Sequence, residues 1–396
     1  MDETVIDRVR RVMEAASMSQ AAFAEKVGLT PDKLSKSLKG VRRFTSLDLA
    51  LIAEAGGRTV DWLLTGREPS PPSLAARTAD ATVPGREHVG DIASRFTAAY
   101  EVLELLGRLP KLPPLPTVRT DLARCVDQGE KLAQDAAASL KPTDAPWTVA
   151  DLETDALITR CSESFGVDIA ITQLPDGVDG LAWHTDTFRL VLIKPTEIWT
   201  RQRFTLAHEL GHILAGDAQE PVVESDVTPG RQKDLTEVRA NVFASNLLMP
   251  EPEVRYRFQQ LADRHGKLSD DAFSALVVGF KVSPSALAAR LSQLRLIDAQ
   301  SAQHYRGLTT QICHLLAGAT DAFQRQLAWA AAGRFPVRVV SALYKCYADG
   351  ETTLRPLAAL LRRDVDELHD ILDPTQPEVP EPTSGEAEEG DLVFQP

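Results

Sequence analysis

The stretch "RFTLAHELGHILAG" (Arg203 to Gly216) constrains the fold more than any other part of this 396-residue chain. Two histidines stand four residues apart, and a glutamate follows the first. Thr200 can cap a helix running from about Arg201 to Ala215, and Gly216 suits its left-handed stop. At about 100° per residue, His208, Glu209 and His212 fall within one arc. Leu206, Leu210, Ile213 and Leu214 fall on the opposite side. Such a helix is held by a core on one face and offers ligand-type side chains on the other. Gly211 and Ala215, beside the histidines, leave room for a metal ion and its substrate.

Two imidazoles at this spacing can reach one tetrahedral Zn2+ and leave a position for water. The metal lowers the pKa of that water, and Glu209 can take its proton as general base. The plain alternative is a chance HExxH on a core helix, but the separation of the two faces favours the metal. A third protein ligand is required. The long motif with a ligand six residues after His212 is excluded, because Ala218 stands there. The ligand must then come from another helix, and "DLTEVRANVFASNLLMPEP" offers Glu237. Ala240 and Ala244 follow on that helix and permit close approach. Asn241 lies on the same face and can hydrogen-bond a ligand. Glu237 can also close a capping box with Asp234, and Asp217 is the reserve ligand. One Zn2+ per chain is expected, with Mn2+ as its substitute in the cell. His184, Arg201 and Arg203 are the candidates for stabilising an oxyanion or holding substrate. The "RLVLI" strand can align a substrate by edge pairing, or can be a covered core strand.

The remaining sequence is mostly helical in pattern. Residues 1–68 carry eleven Lys/Arg against ten Asp/Glu, so the whole-chain charge of −13 says little about what this segment binds. Val5, Val9, Val12 and Met13 make an apolar stripe. Ser19 can cap a short helix ending near Val27, Gly28 suits the turn, and Thr30 with Pro31 opens a second helix that Gly40 stops. Residues 69–90 read as a linker, 91–145 as a helical connector broken by the stiff "LPKLPPLPT", and 146–298 as a second domain. "VDIAITQLP" reads as a strand and "LAWHTDTFRLVLI" as two strands around a turn. Residues 299–373 form a helical C-terminal domain, read as a packed extension or a dimerisation module. Residues 374–396, with six carboxylates and no Lys or Arg, should be disordered. The expected fold class is therefore mainly α and multidomain, with a central α+β domain holding a small β-sheet. Four scattered cysteines without a CxxC pair suggest inert thiols. No apolar run has membrane-spanning length, and the charged start "MDETVIDRVRRV" lacks a secretory stretch, so a cytoplasmic protein is expected.

"RQRFTLAHELGHILAGD" followed by "EVRANVFASNLLMP" resembles the ImmA/IrrE family of metallo-endopeptidases, over about residues 150–298. The resemblance implies a compact gluzincin-like (zincin-like) fold, with His208, His212 and Glu237 as ligands and Glu209 as base. It also implies cleavage of DNA-binding repressors. Family members often carry a second Glu two residues after the ligand Glu, and Arg239 stands there instead, which bears on metal affinity or substrate choice.

"SQAAFAEKVGLTPDKLSKSLKG" resembles the helix-turn-helix of the Xre/lambda-repressor class, over about residues 4–66. In that class the second helix enters the major groove. Thr30, Asp32, Lys33, Ser35 and Lys36 would face bases, and Gln20, Lys39, Arg42 and Arg43 would hold phosphates. A homodimer on a two-fold double-stranded DNA operator is expected. Together the two halves imply a transcriptional regulator with a zinc endopeptidase that cuts a repressor- or antitoxin-like protein. The alternative is a sensing transcription factor whose peptidase-like domain does not cut. A third reading is self-cleavage within residues 67–87.

Overall fold

The structure, a computed structural model, describes residues 4–16, 18–56, 58, 60–66, 86–116, 118, 124–141, 147–217 and 231–372. The expected acidic tail, and residues 69–85 of the expected linker, lie outside them. Five helices come first: α1 (Val5–Ala15), α2 (Gln20–Lys26), α3 (Pro31–Leu38), α4 (Ser46–Gly56) and α5 (Val60–Thr65). Their caps follow the sequence. Thr4 closes a capping box with Asp7, Ser19 accepts from the Ala22 amide, and Thr30 accepts from the Lys33 amide with Pro31 next to it. Gly28 takes a φ of 66° in the turn between α2 and α3. Val9, Phe23, Leu34, Ile52 and Leu63 form a core belonging to these helices alone. Arg8 is buried and donates to the carbonyls of Leu63 and Leu64, tying α1 to the end of α5.

The next elements are α6 (Arg86–Leu105), α7 (Cys125–Leu140), a short 3-10 turn (Val149–Asp151) and α8 (Thr154–Phe165). Three strands follow: β1 (Asp168–Ile171), β2 (Gly180–His184) and β3 (Arg189–Ile193). Then come α9 (Trp199–Ala215), α10 (Arg231–Leu248), α11 (Glu251–Leu261), α12 (Asp270–Phe280) and α13 (Pro284–Gln293). The last six are α14 (Ala299–Arg306), α15 (Thr310–Leu316), α16 (Thr320–Ala331), α17 (Val337–Ala348), α18 (Arg355–Leu361) and α19 (Val365–Leu372). The chain is thus mostly helical with one small mixed sheet. Among the described residues no single helix is long and apolar enough to cross a membrane.

The sheet order is β1-β3-β2, with β1 parallel and β2 antiparallel to β3. Side chains alternate across a strand, and here both faces are apolar. Ile169, Ala182, Val191 and Ile193 join one core with α7–α13. Ala170, Leu181, Trp183, Leu190 and Leu192 join another with α6, α17, α18 and α19. The sheet therefore lies between two helical layers. The segments read as a connector and as a separate C-terminal domain supply both layers, and the breaks near residues 145 and 298 do not separate cores. "RLVLI" is the central strand, paired on both sides, so it has no edge for a substrate. The far edge of β1 carries a bridge between Ile171 and Arg334. Among the described residues, the outer edge of β2 pairs with no strand.

Arginines and one buried tyrosine–aspartate pair fix the layers. Arg189 donates to the carbonyls of Pro113 and Phe165, and Arg338 donates to that of Lys111. Both thereby hold the Pro-rich segment against the sheet. Tyr100 of α6 donates to Asp168 at the start of β1, 2.9 Å away, and burial pushes Asp168 up to about 6. Arg203 of α9 is fully buried and donates to the Val149 and Leu152 carbonyls and the Thr154 hydroxyl. Removing it strands those acceptors in a dry place. Arg203→Met should lower unfolding stability by about 2–4 kcal/mol, read as a fall in the urea midpoint at constant m. An unchanged midpoint would contradict this bolting role.

Candidate metal centre

Helix α9 carries the histidines, and it begins earlier than the sequence suggested. Ile198 is its N-cap position, and Thr200 lies inside the helix rather than capping it. The buried Trp199 packs edge-on against His314 and draws the extra residues into the first turn. Gly216 ends the helix at φ 72°, as expected. The helix is buried almost all round, not on one face only. His208, Glu209 and His212 are as inaccessible as Leu206 and Leu210 opposite them.

Close packing of α10 on α9 brings in the third side chain. A Cβ on Gly211 would stand 2.8 Å from Cδ1 of Phe243 and 3.5 Å from Cα of Ala240. The bare face of Gly211 therefore admits α10 and is not space for metal or substrate, as the sequence reading had it. Ala240 and Ala244 are buried at this contact. The approach places Glu237 Oε2 3.3 Å from His208 Nε2, and Glu237 Oε1 3.4 Å from His212 Nε2. The two Nε2 atoms are 3.1 Å apart. A tetrahedral ion with bonds of about 2.0–2.1 Å has ligand–ligand edges of about 3.3–3.4 Å. The two nitrogens and the Glu237 carboxylate, which turns a different oxygen to each, stand at spacings of that order. Among the described residues they are the one group of this kind able to hold a metal.

The surrounding charges match this role. Asp217 Oδ2 lies 3.4 Å from His212 Nδ1, on the ring's far side from the ligand nitrogen. That contact orients the ring and raises its basicity. Asp217 is thus a supporting residue here rather than the reserve ligand. Asn241 is half-buried and makes no hydrogen bond to the three ligands. Arg239 pairs with Asp217 and donates to Gln128 of α7 at 3.0 Å. The arginine that departs from the family pattern therefore braces the residue behind His212. Burial opposes charge on His212, but Asp217, Glu237 and Glu209 outweigh it and raise it to about 9. Burial likewise opposes the Glu237 carboxylate, yet His208 and His212 hold it far below the usual range.

The other expected site residues separate clearly. His184, at the end of β2, is buried with its Nε2 lacking a hydrogen-bond partner. Burial and Arg189 hold it below the usual imidazole range, against a pull upward from Asp186 and Asp217. Arg201 is exposed and pairs with Asp179. Arg203 is committed to the 149–154 turn, so its guanidinium is spent structurally. In α3 and its flanks, Thr30, Asp32, Lys33, Lys36 and Lys39 are exposed, as are Gln20 and Arg43, while Ser35 is half-buried. Lys36 pairs with Asp32 at 2.8 Å. Arg42 is turned inward to Asp48 and Ser37. The capping box of Asp234 falls on a side chain outside the described set.

Residues 162–292 match the Peptidase_M78 family model, described as the IrrE N-terminal-like domain. Over 80 residues, 19% of this chain, the sequence is 40% identical to the radiation response metalloprotease IrrE of Deinococcus radiodurans. The match spans 24% of that relative's length, about a quarter. The family-model match includes the three-ligand group, and the two similarities together support the ImmA/IrrE family and a metallopeptidase-type domain. A comparison with the crystal structure of ComR from Streptococcus suis covers 94% of this chain and 96% of that one. Its identity is 12% and its TM-score 0.15, too low to bear on the fold.

Two outcomes follow. Asp217→Asn should weaken zinc affinity by roughly 10–100-fold, measured against a competing chelator, with one ion still bound at saturation. Without metal, folded His212 keeps a proton up to about pH 9, above the unfolded imidazole's value of about 6.5. Its contribution to metal-free stability is complete below the unfolded value and is lost as pH rises through about 9. A cation must displace that proton, so zinc affinity should climb from pH 6 towards about 9. A flat profile over that range would contradict the coupling.

Proposed function

We propose that this chain is a DNA-binding transcriptional regulator whose central domain is a zinc-dependent endopeptidase acting on a repressor- or antitoxin-like protein. The observation that carries the peptidase reading is the three-donor group of His208, His212 and Glu237, 3.1–3.4 Å apart, with Glu209 buried next to His208. When bound, the zinc ion polarises the scissile carbonyl and acidifies water. The chain supplies the rest. A substrate in extended form pairs with the outer edge of β2, which has no strand partner among the described residues and lies on the strand that packs on α9. Glu209 takes the proton of the attacking water and returns it to the leaving amine. His184 Nε2, on that same strand, donates to the developing oxyanion. The name of the Deinococcus relative, a radiation response metalloprotease, favours a stress-linked setting. A location in the cytoplasm is part of the same proposal.

The DNA-binding half rests on α2 and α3, joined by the Gly28 turn, and on the exposed row Thr30, Asp32, Lys33 and Lys36. Lys39, Arg43 and Gln20 are exposed to meet phosphates, whereas Arg42 serves its own turn. A second copy of the chain completes a two-fold operator complex.

Glu209→Gln should keep one zinc ion and lose roughly 10²–10⁴-fold of cleavage, measured on a purified helix-turn-helix repressor offered as substrate. Equal cleavage by both proteins would remove the mechanism. For DNA, Lys39→Ala should weaken binding to all sequences alike and reduce the salt slope by about 1. An unchanged slope would take Lys39 off the phosphate backbone.

A further inference from the structure

Gly180 opens β2, and its glycine identity is not a backbone requirement. It has no positive φ, and it pairs in regular register with Ile193. The requirement is space. A Cβ at this position would lie 2.5 Å from Cγ2 of Thr205 and 2.9 Å from both Cγ and Oε1 of Glu209. Real side chains do not approach so closely, so something would have to move. The strand is poorly placed to move. The Asp179 carbonyl accepts from the Lys194 amide at 2.9 Å, and the Asp179 carboxylate is held by Arg201 from the first turn of α9. Thr205 and Glu209 are then the neighbours in the way; Thr205 is buried and stiff at its branched Cβ, so the longer Glu209 side chain is the one free to turn aside.

We propose that Gly180 is a positioning residue for Glu209: the strand backbone at this glycine is the wall against which the carboxylate rests beside the metal ligands. The proposal deepens the peptidase reading and rests on Glu209 as the base. It separates two glycines by role. Gly211 admits α10 and so delivers Glu237, whereas Gly180 leaves the ligand set untouched and governs where the base stands. Arg201, one of the candidate substrate residues, acquires a use as well, since its pair with Asp179 keeps this wall in place.

The test uses the full chain and two readouts. Thr205→Ser removes the methyl that a new Cβ would strike, so Gly180→Ala is made in that background, leaving Glu209 as the obstacle. The first readout is melting temperature in a double-mutant cycle on metal-free protein. The cost of Gly180→Ala should fall by at least half when Glu209→Ala is also present. An equal cost with and without Glu209 overturns the proposal. The second readout is turnover of fluorescein-labelled casein by zinc-loaded protein. Gly180→Ala in Thr205→Ser should lose roughly 10–100-fold in kcat, with KM changed less than about twofold and one zinc ion retained. Full kcat with the glycine replaced overturns it too. A parent chain that leaves both casein and a helix-turn-helix repressor uncut counts against the peptidase reading, and the melting cycle still decides the role of Gly180.

Discussion

The close packing of α10 on α9 is the contact on which the rest depends. It is permitted by one missing side chain, at Gly211, which lets the Phe243 ring and Ala240 approach the helix that carries both histidines. Glu237 projects from the same stretch of α10 and arrives between the two imidazoles. Burying two imidazoles and a carboxylate is costly unless their charge is answered. Here a proton or a cation answers it within the triad, and Asp217 with Arg239 answers it behind His212. The centre is therefore a property of two packed helices and the turn after the first.

The small sheet gives this pair its orientation. Each face of the sheet supports a helical layer, and the layer facing α9 and α10 also includes α7. Gly129 of α7 lies so close to α10 that a Cβ there would stand 2.7 Å from the Arg239 carbonyl. Gln128, its neighbour, accepts from Arg239 itself. The segment that follows the amino-terminal helices in sequence thus touches the charged brace behind a metal ligand. The opposite layer closes the other side of the sheet and, through Arg334, occupies the far edge of β1. The strand edge next to the metal helix is the one left without a partner among the described residues.

Much of this was readable in the residues, and the failures have physical causes. Helix caps located α2 and α3, and period-two alternation around a turn located the strand pair β2–β3, because those signals are local. The facial arc of α9 identified His208, Glu209 and His212, and small residues at 240 and 244 pointed to the helix bearing Glu237. What could not be read was tertiary. Thr200 looks like a cap, but the burial of Trp199 extends the helix past it. Arg203 looks like an oxyanion candidate by position, yet its length lets it reach carbonyls fifty residues away in sequence. "RLVLI" has no mark that says central or edge, since strand order is not written in a strand. Asp217, immediately after the Gly216 stop, carried a usable signal: a carboxylate one turn beyond a ligand histidine can reach its outer nitrogen. Gly180 carried a weaker one, a glycine at a strand position where no turn calls for it.

The most direct measurement is X-ray absorption at the zinc edge of the full chain loaded with one equivalent of the metal. The account expects a four-coordinate shell with two imidazole nitrogens at about 2.0–2.1 Å and carboxylate and water oxygens at about 2.0–2.2 Å. The imidazole signal should fall by half in His208→Ala. A six-coordinate shell of oxygens alone, or a spectrum indifferent to that substitution, would contradict it.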